Sequence, residues 1–213
     1  MAELDLHEQE QVDALKSWWK ENGKWVVGAV VFALLGFSGM QFWKNHQAQQ
    51  AGEAAKLYSE VEKQTMSNDP KRVNDAVAAL VDKFGGSAYA PRAQLLAVQV
   101  NIQAKDFVRA KPQLQWVIEH AGEAGLQDIA RLKLASILLD EKNYDEALKQ
   151  INATHSEAFT GLYADLKGDV LSAQGKTEEA KAAYKQALDK IEAKSMYRNL
   201  VQLKLDGLGG AAK

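Results

Sequence analysis

The first pattern along the chain is an apolar stretch of nineteen residues from Trp25 to Trp43 that carries no charged side chain. At about 1.5 Å of rise per residue, a helix of this length covers roughly 29 Å, which matches a hydrocarbon core of about 30 Å. The terminal tryptophans suit the two headgroup layers, and Lys24 and Lys44 stand just outside them. The pattern predicts a transmembrane helix over residues 24–44.

A cleaved signal peptide or a buried core helix would also give an apolar run. A signal peptide has a basic start, a shorter apolar core and small side chains at the cut site. Here an acidic leader precedes the run, and Phe42 and Trp43 stand where small residues would be needed. The sequence therefore favours an uncleaved anchor.

The basic residues on either side of the span differ in number. Lys16, Lys20 and Lys24 lie close before it, whereas only Lys44 follows within ten residues. Because positive residues collect on the cytoplasmic side, this bias predicts a cytoplasmic leader over residues 1–23 and an amino terminus in the cytoplasm.

Beyond the span, alanine and leucine recur at intervals of three and four residues from Ala54 to Leu205, which predicts helices throughout. Polar and glycine-containing breaks divide this region into helical hairpins. We expect one domain over residues 45–205 and a flexible tail over residues 206–213. The segment 46–66 either continues the span outward or folds onto the domain.

A repeat underlies these hairpins. Ala76, Ala110, Ala147 and Ala180 each follow a polar turn, at successive intervals of 34, 37 and 33 residues. A helix-turn-helix unit of about 34 residues is typical of tetratricopeptide repeats, in which a small residue allows the two helices to cross closely. The alternative is an ordinary helical bundle. The pattern predicts an all-α fold: one transmembrane helix, then a tetratricopeptide-like α-solenoid of about four helix pairs with a C-terminal capping helix.

The final helix is expected to cover the open end of the stack, because a terminal repeat otherwise leaves its apolar face in water. Met196, Leu200 and Leu203 are expected to form the covering face, together with their neighbours Tyr197 and Val201.

Composition argues against several classes of function. The charges beyond the span are balanced, which argues against nucleic-acid binding, and the absence of cysteine excludes thiol chemistry and cysteine-based zinc sites. The four histidines are far apart in sequence and are expected to be solvated. Asp165 and Asp169 lie one helical turn apart and are interpreted as a solvated face rather than an acid/base pair. We expect no catalytic, cofactor or metal site, and no enzymatic activity.

Nearly the whole chain resembles a known family, the ancillary subunits of the bacterial SecYEG translocon (YfgM-like proteins). The resemblance rests on three segments and on the weak repeats. It implies an inner-membrane protein with one span, a cytoplasmic amino terminus and periplasmic repeats, associated with the translocon and with a periplasmic chaperone of the prolyl-isomerase type. The three segments are Trp18-Trp19-Lys20-Glu21-Asn22-Gly23-Lys24, Phe42-Trp43 and Leu166-Lys167-Gly168-Asp169.

Stacked helix pairs form a groove lined by the first helix of each pair, and such grooves commonly bind a segment of a partner. Placing the repeats by their anchor alanines predicts which residues line this groove. Because two of them are aspartates, we expect the groove not to read free carboxyl termini. The predicted lining residues are Arg92, Leu95, Gln99, Leu132, Ser136, Leu162, Asp165 and Asp169.

The span has small residues on one side, at Ala29, Ala33 and Gly36. This face would allow another membrane helix to approach closely, although an inert anchor remains the alternative. Trp18 and Trp19 are expected to dock at the membrane surface.

Three functions remain open at this stage. The first is a scaffold that holds a periplasmic chaperone near chains emerging from the translocon. The second is an assembly adaptor for another envelope complex. The third is a hydrolase or regulator, which no cluster of residues in the sequence supports.

Overall fold

The computed structural model describes residues 6–67 and 69–209, and the side chains from residue 9 onward within those ranges. These residues form nine α-helices and one short 3-10 helix, with no strand among them. The predicted all-α class is confirmed. The helices are α1 (Leu6–Thr65), α2 (Pro70–Phe84), α3 (Tyr89–Gln103), α4 (Phe107–His120), α5 (Ala124–Asp140), α6 (Tyr144–Ile151), the 3-10 helix (Glu157–Phe159), α7 (Thr160–Ala173), α8 (Thr177–Lys190) and α9 (Met196–Gly207).

The chain divides into two units, Met1–Gly52 and Glu53–Lys213. In the second unit, Ala54 and Val61 of α1 are buried, and Val61 shares a core cluster with residues of α2 and α3. The segment left open by the sequence is therefore helical, and its final turns belong to the repeat domain.

Helix pairs make up the second unit. The end of α1 shares a core cluster with α2 and forms the first pair with it. In the other three pairs, α3, α5 and α7 contact α4, α6 and α8. The first helices of successive pairs also contact one another, α3 with α5 and α5 with α7, and α9 packs on α8 after the last pair. This arrangement confirms the prediction of four pairs and a terminal helix.

Three turns between paired helices share one backbone geometry. Lys105, Lys142 and Gly175 have φ angles of 58°, 61° and 77°. In each case the next amide N–H donates to the carbonyl oxygen five residues earlier, at 2.8, 2.8 and 2.9 Å. This is the six-to-one bond of a Schellman helix ending, in which the left-handed residue favours glycine. The second, third and fourth pairs are therefore true structural repeats.

The buried anchor alanines are confirmed in three pairs and wrong in the first. Ala110, Ala147 and Ala180 are fully buried, but Ala76 is half-exposed. Asp69 caps α2, so the fourth helical residue is the fully buried Val73, just as Ala110 is the fourth residue after the cap Asp106. The anchor position of the first pair is therefore occupied by valine, which is larger than the alanine of the other pairs. For this reason the spacing of alanines did not identify it.

The last pair depends on a glycine at its crossing. A Cβ atom built on Gly168 would lie 2.4 Å from Cε1 of Tyr184, far inside the normal contact distance. Tyr184 of α8 is 3% exposed, and its ring packs against this position. The ring of Tyr184 therefore requires a residue without a side chain at this position.

A polar cluster ties the first two pairs together. Asn101 of α3 is fully buried and exchanges hydrogen bonds with Asn74 of α2 at 2.9 and 3.1 Å. Gln113 of α4 accepts from Asn101 at 2.8 Å and donates to Asn74 at 2.8 Å. Amide side chains can satisfy one another because each carries both a donor and an acceptor. The sequence does not reveal this cluster, because polar residues on a predicted helix usually face solvent.

The face of α9 that packs against the repeats differs from the prediction. Val201 and Leu205 are buried, and Tyr197 packs beside them. Met196, Leu200 and Leu203, which were expected to cover the stack, lie on the outer side of the helix.

The predicted flexible tail is wrong at its start, because residues 206 and 207 belong to α9. Residues 210–213 lie outside the described residues.

Candidate partner-binding site

The predicted groove residues occupy equivalent positions on the first helices α3, α5 and α7. Leu95, Leu132 and Asp165 form one series and Gln99, Ser136 and Asp169 another, each spaced by 37 and 33 residues as in the turns. Because α3 contacts α5 and α5 contacts α7, both series run across neighbouring helices. The structure therefore brings most of the predicted positions together, but the third member of each series differs from the first two. Arg92 and Leu162 complete the predicted set.

The first helices of the second and third pairs present an open, uncharged lining. Gln99 and Ser136 are exposed, whereas Leu95 and Leu132 are half-buried and pack against the main core cluster. On α7, Leu162 is 36% exposed. The accessible part of the predicted groove is thus formed by neutral side chains that can donate and accept hydrogen bonds, with one leucine beyond them.

Arg92 links two repeats. Its Nη2 lies 2.8 Å from both carboxylate oxygens of Glu123, the residue that precedes α5, and its Nη1 donates to the carbonyl oxygen of Ala88 at 2.6 Å. A guanidinium group fits a carboxylate well, but a pair this exposed contributes little to stability. The side chain is therefore held in place between repeats and is only partly available to a ligand.

Asp165 does not line the groove, and its prediction as a lining residue is wrong. It is 2% exposed, and its two carboxylate oxygens accept from Lys204 Nζ of α9 at 3.0 and 2.9 Å. The hydroxyl group of Tyr197, also on α9, donates to it as well. Since α9 covers this face of α7, the aspartate contacts the terminal helix rather than solvent.

Asp169 is half-buried and belongs to the same hydrogen-bonded cluster. It accepts from Lys204 Nζ at 2.8 Å and from the Tyr184 hydroxyl group at 2.8 Å. Asp165, Asp169, Lys204, Tyr184 and Tyr197 are named here the α9 latch. The interpretation of the two aspartates as a solvated face is wrong.

The electrostatics of the α9 latch favour its hydrogen-bonded state. Burial disfavours the charged form of Lys204, but hydrogen bonds to Asp169 and Asp165 outweigh it, and the pKa of Lys204 is raised. Burial and then the hydrogen bond to Asp169 raise the pKa of Tyr184, and burial with the bond to Asp165 raises that of Tyr197. Because Asp165 is buried and Lys204 pairs with both aspartates, they would repel a partner's carboxyl terminus less than two solvated carboxylates would. That the groove does not read free carboxyl termini stays a prediction.

A second buried carboxylate lies between the third and fourth pairs. Asp128 of α5 is 2% exposed and accepts from the backbone N–H of Ser156 at 3.1 Å and from its hydroxyl group. The Tyr163 hydroxyl group donates to the Asp128 carbonyl oxygen at 3.3 Å. These bonds fix the loop before the 3-10 helix onto α5.

His155 is half-buried, contrary to the expectation that it is solvated. Its ring stacks on Tyr163 with centroids 4.1 Å apart and planes 9° apart. Both residues line a cavity of about 190 Å³ with Asn152 and Lys167. Pockets for drug-sized ligands usually exceed about 300 Å³. The cavity is therefore small for an organic ligand, and across residues 9–67 and 69–209 no group of three or more histidine, aspartate or glutamate side chains could hold a metal ion.

The first unit presents the apolar stretch predicted to cross a membrane. Trp25, Phe32, Phe37 and Trp43 are 75%, 79%, 70% and 68% exposed. Within the described residues, α1 is the one helix long and apolar enough to span a bilayer. Large contiguous apolar surfaces of this kind mark contact with lipid or with another protein.

The small-residue face of this stretch is open. Ala29 and Ala33 are exposed, and a Cβ atom built on Gly36 would meet no atom within 4 Å. Use of this face by another membrane helix stays a prediction.

Two tryptophans precede the apolar stretch and form an exposed aromatic surface. Trp18 and Trp19 are 50% and 52% exposed, with ring centroids 6.5 Å apart. A Cβ atom built on Gly23 would lie 3.1 Å from the Trp19 ring, so the glycine leaves room for it. Docking of these rings at a membrane surface also stays a prediction.

Comparison with known proteins agrees with this architecture. A family profile described as a tetratricopeptide repeat-like domain matches residues 16–210. A protein of Neisseria gonorrhoeae named ancillary SecYEG translocon subunit is 33% identical over 204 residues, covering 95% of this chain and 98% of that protein. Proteins with the same name from Haemophilus influenzae and Escherichia coli are 28% and 25% identical, over 95% and 97% of this chain and 98% of each relative. The chain therefore belongs to the tetratricopeptide repeat-like domain family, among relatives named ancillary SecYEG translocon subunits.

Proposed function

We propose that this protein is a single-span adaptor of the inner membrane that associates with the SecYEG translocon. The proposal rests on one observation. The same chain contains an exposed apolar stretch long enough to span a membrane and a domain of four helix pairs. Relatives that match this chain over almost its whole length are named as translocon subunits. The repeats supply a surface for protein recognition, and the proposed role needs no catalysis.

In this proposal the amino terminus lies in the cytoplasm and the repeats lie in the periplasm. Lys16, Lys20 and Lys24 before the apolar stretch support this orientation. Protease treatment of intact and lysed spheroplasts tests it. The repeat domain should be digested in intact spheroplasts, whereas protection until lysis would reverse the orientation.

We further propose that the repeat surface holds a periplasmic chaperone of the prolyl-isomerase type beside chains that emerge from the translocon. Gln99 and Ser136 are exposed at equivalent positions of neighbouring first helices, so a bound segment crossing α3 and α5 would contact both. Their neutral side chains suit hydrogen bonding to a peptide backbone.

Photocrosslinking in cells tests this assignment. A photoreactive amino acid is placed at Gln99 or at Ser136, and the matched control carries it at Gln115, an exposed position on the second helix α4. Mass spectrometry of the adducts should identify a prolyl-isomerase-type chaperone or translocon subunits from the first two positions and not from the control. Adducts with components of a different envelope complex would favour the alternative of an assembly adaptor for that complex.

A further inference from the structure

Helix α9 exposes an apolar stripe on the side turned away from the repeats. Met196, Leu200 and Leu203 are 89%, 47% and 68% exposed, and Gly207 follows on the same side. The intervals between these four positions are four, three and four residues, which keeps them on one face of a helix. These residues are named the α9 stripe. A terminal helix of a repeat array needs a polar outer face to remain soluble alone, so an apolar stripe there indicates a partner.

The intervals between the four stripe positions, four, three and four residues, are the same in both directions along the helix. If two copies of α9 pair in antiparallel orientation about a two-fold axis, Leu200 faces Leu203 of the other copy and Met196 faces Gly207. A Cβ atom built on Gly207 would meet no atom within 4 Å, so there is room for a long side chain above it. We propose that the α9 stripe binds the α9 stripe of a second copy of this chain in this antiparallel arrangement. Such a contact is isologous, because the same patch serves both copies.

The charges on α9 are compatible with this occupant. Arg198 is turned toward the repeats, where it donates to the carbonyl oxygens of Leu188 and Ile191, and Lys204 is held by the α9 latch. Asp206 is exposed and accepts from Gln202 at 2.8 Å.

In the antiparallel pair the two Asp206 residues lie nine positions apart in register, or about 13 Å along the axis. Since the Debye length is about 8 to 10 Å at moderate salt, their repulsion is largely screened. The α9 stripe contains no charged side chain, so a charged ligand would find no counter-charge on it. The uncharged stripe of a second copy is a complementary surface.

The expected contact is weak in dilute solution and stronger in a membrane. Three side chains and a glycine from each copy make an interface below the roughly 1,000 Å² that stable complexes usually bury. Two chains anchored in one bilayer meet at a higher effective concentration. The full-length chain in lipid vesicles is therefore the appropriate sample.

Cysteine crosslinking tests the arrangement, and the chain contains no cysteine of its own. Single variants Leu200→Cys, Met196→Cys and Gly207→Cys are reconstituted into neutral lipid vesicles and oxidised. Leu200→Cys should form a covalent dimer alone, because the two sulfurs lie only about 5 Å apart along the axis. Met196→Cys alone and Gly207→Cys alone should not, since identical positions are separated by about 16 Å, but a mixture of the two should.

The matched control is Asp189→Cys at an exposed position of α8. We expect about tenfold more covalent dimer for Leu200→Cys than for this control, and an about tenfold loss when Leu203→Glu is added, because a carboxylate would then be buried at the contact. Gln202→Glu, exposed on the same helix but outside the stripe, should leave the dimer unchanged. Circular dichroism checks that each variant keeps its helices.

Several results would overturn the proposal. Leu200→Cys could crosslink no better than the control, or Met196→Cys alone could crosslink as well as the mixture. A fluorophore on Leu203→Cys could instead be quenched by brominated lipid, which would make the bilayer the occupant of the stripe. The test rests on the proposed membrane span but involves neither the translocon nor a chaperone, so a negative result leaves the proposed association with them untouched.

Discussion

At the scale of single residues, the repeat is defined by backbone geometry more than by side-chain identity. The same left-handed turn position is filled by Lys105, Lys142 and Gly175, although only glycine adopts this conformation without steric cost. The two lysines therefore carry strain that the surrounding hydrogen bonds offset. The three turns therefore differ in sequence but share one backbone geometry.

Replacing a strained lysine with glycine should stabilise the domain. A left-handed conformation costs a non-glycine residue about 1 to 2 kcal/mol, and glycine loses about 0.5 to 1 kcal/mol through chain entropy. Lys105→Gly should therefore raise the free energy of unfolding by about 0.5 to 1 kcal/mol, measured by denaturant titration. The control Lys185→Gly, in the interior of α8, should lower it by about 1 kcal/mol. A loss of stability for Lys105→Gly equal to the control would contradict the strain argument.

The crossing at Gly168 gives a prediction of the opposite sign. Gly168→Ala would place a methyl group 2.4 Å from the Tyr184 ring, and such overpacking typically costs about 1 to 3 kcal/mol. The midpoint of denaturation should fall by that amount, whereas Gly122→Ala, where a Cβ atom meets nothing within 4 Å, should have little effect. In a Tyr184→Leu background the cost of Gly168→Ala should shrink, and an undiminished cost would show that the ring is not its cause.

At the scale of elements, α9 is joined to α7 by the latch as well as by apolar packing. Asp165 occupies the position that Leu95 and Leu132 fill in the two preceding pairs. Those leucines pack against the main core, whereas the aspartate meets Lys204 and Tyr197 of the terminal helix. The change from leucine to aspartate thus marks the place where the array stops and a different helix covers it.

Breaking the latch from one side should be costly. Lys204→Met leaves Asp165 buried without its cation, and removing one partner of a buried pair typically costs about 3 to 5 kcal/mol. The denaturation midpoint should fall accordingly, whereas Lys194→Met at an exposed position should be nearly neutral.

Replacing both partners should recover most of that loss. Asp165→Leu with Lys204→Met restores the leucine found in the preceding pairs and leaves only the half-buried Asp169, which keeps the hydrogen bond from Tyr184. A double variant as unstable as Lys204→Met alone would argue against charge burial as the cause.

At the scale of the whole molecule, the proposed role requires that the apolar stretch reside in a bilayer. Leu34 lies at its middle and is 61% exposed. Leu34→Arg should add about 2.5 to 3.5 kcal/mol to the cost of membrane insertion, so that alkaline carbonate extracts the variant. Gln41→Arg, near the end of the stretch, should stay in the membrane pellet because its side chain can reach the interface. Equal extraction of both variants, or of the natural chain, would argue against a span.

Helices and repeat positions were predictable from the sequence because they follow local rules. The spacing of Ala110, Ala147 and Ala180 placed three pairs, since a small residue must stand where helices cross. Ala76 was wrongly predicted as the first anchor because alanine is common at many helix positions. The true anchor, Val73, could have been located by counting from the helix cap Asp69, which the sequence contains. The positions of Gln99 and Ser136 were also predictable, because they repeat with the same period.

The sequence by itself determined an all-helical chain with an apolar stretch of membrane length, because charge, apolar spacing and turn residues act within a few positions. Only the tertiary structure decided that Asp165 is buried and that Met196, Leu200 and Leu203 face outward. The spacing of residues shows which of them share a face of a helix, but not which face packs against its neighbours. Helix α9 carries apolar residues on two faces, so either face could be predicted to cover the repeats. The contacts of Tyr197, Val201 and Lys204 with the last repeat select one side, and the apolar stripe on the other is what remains exposed.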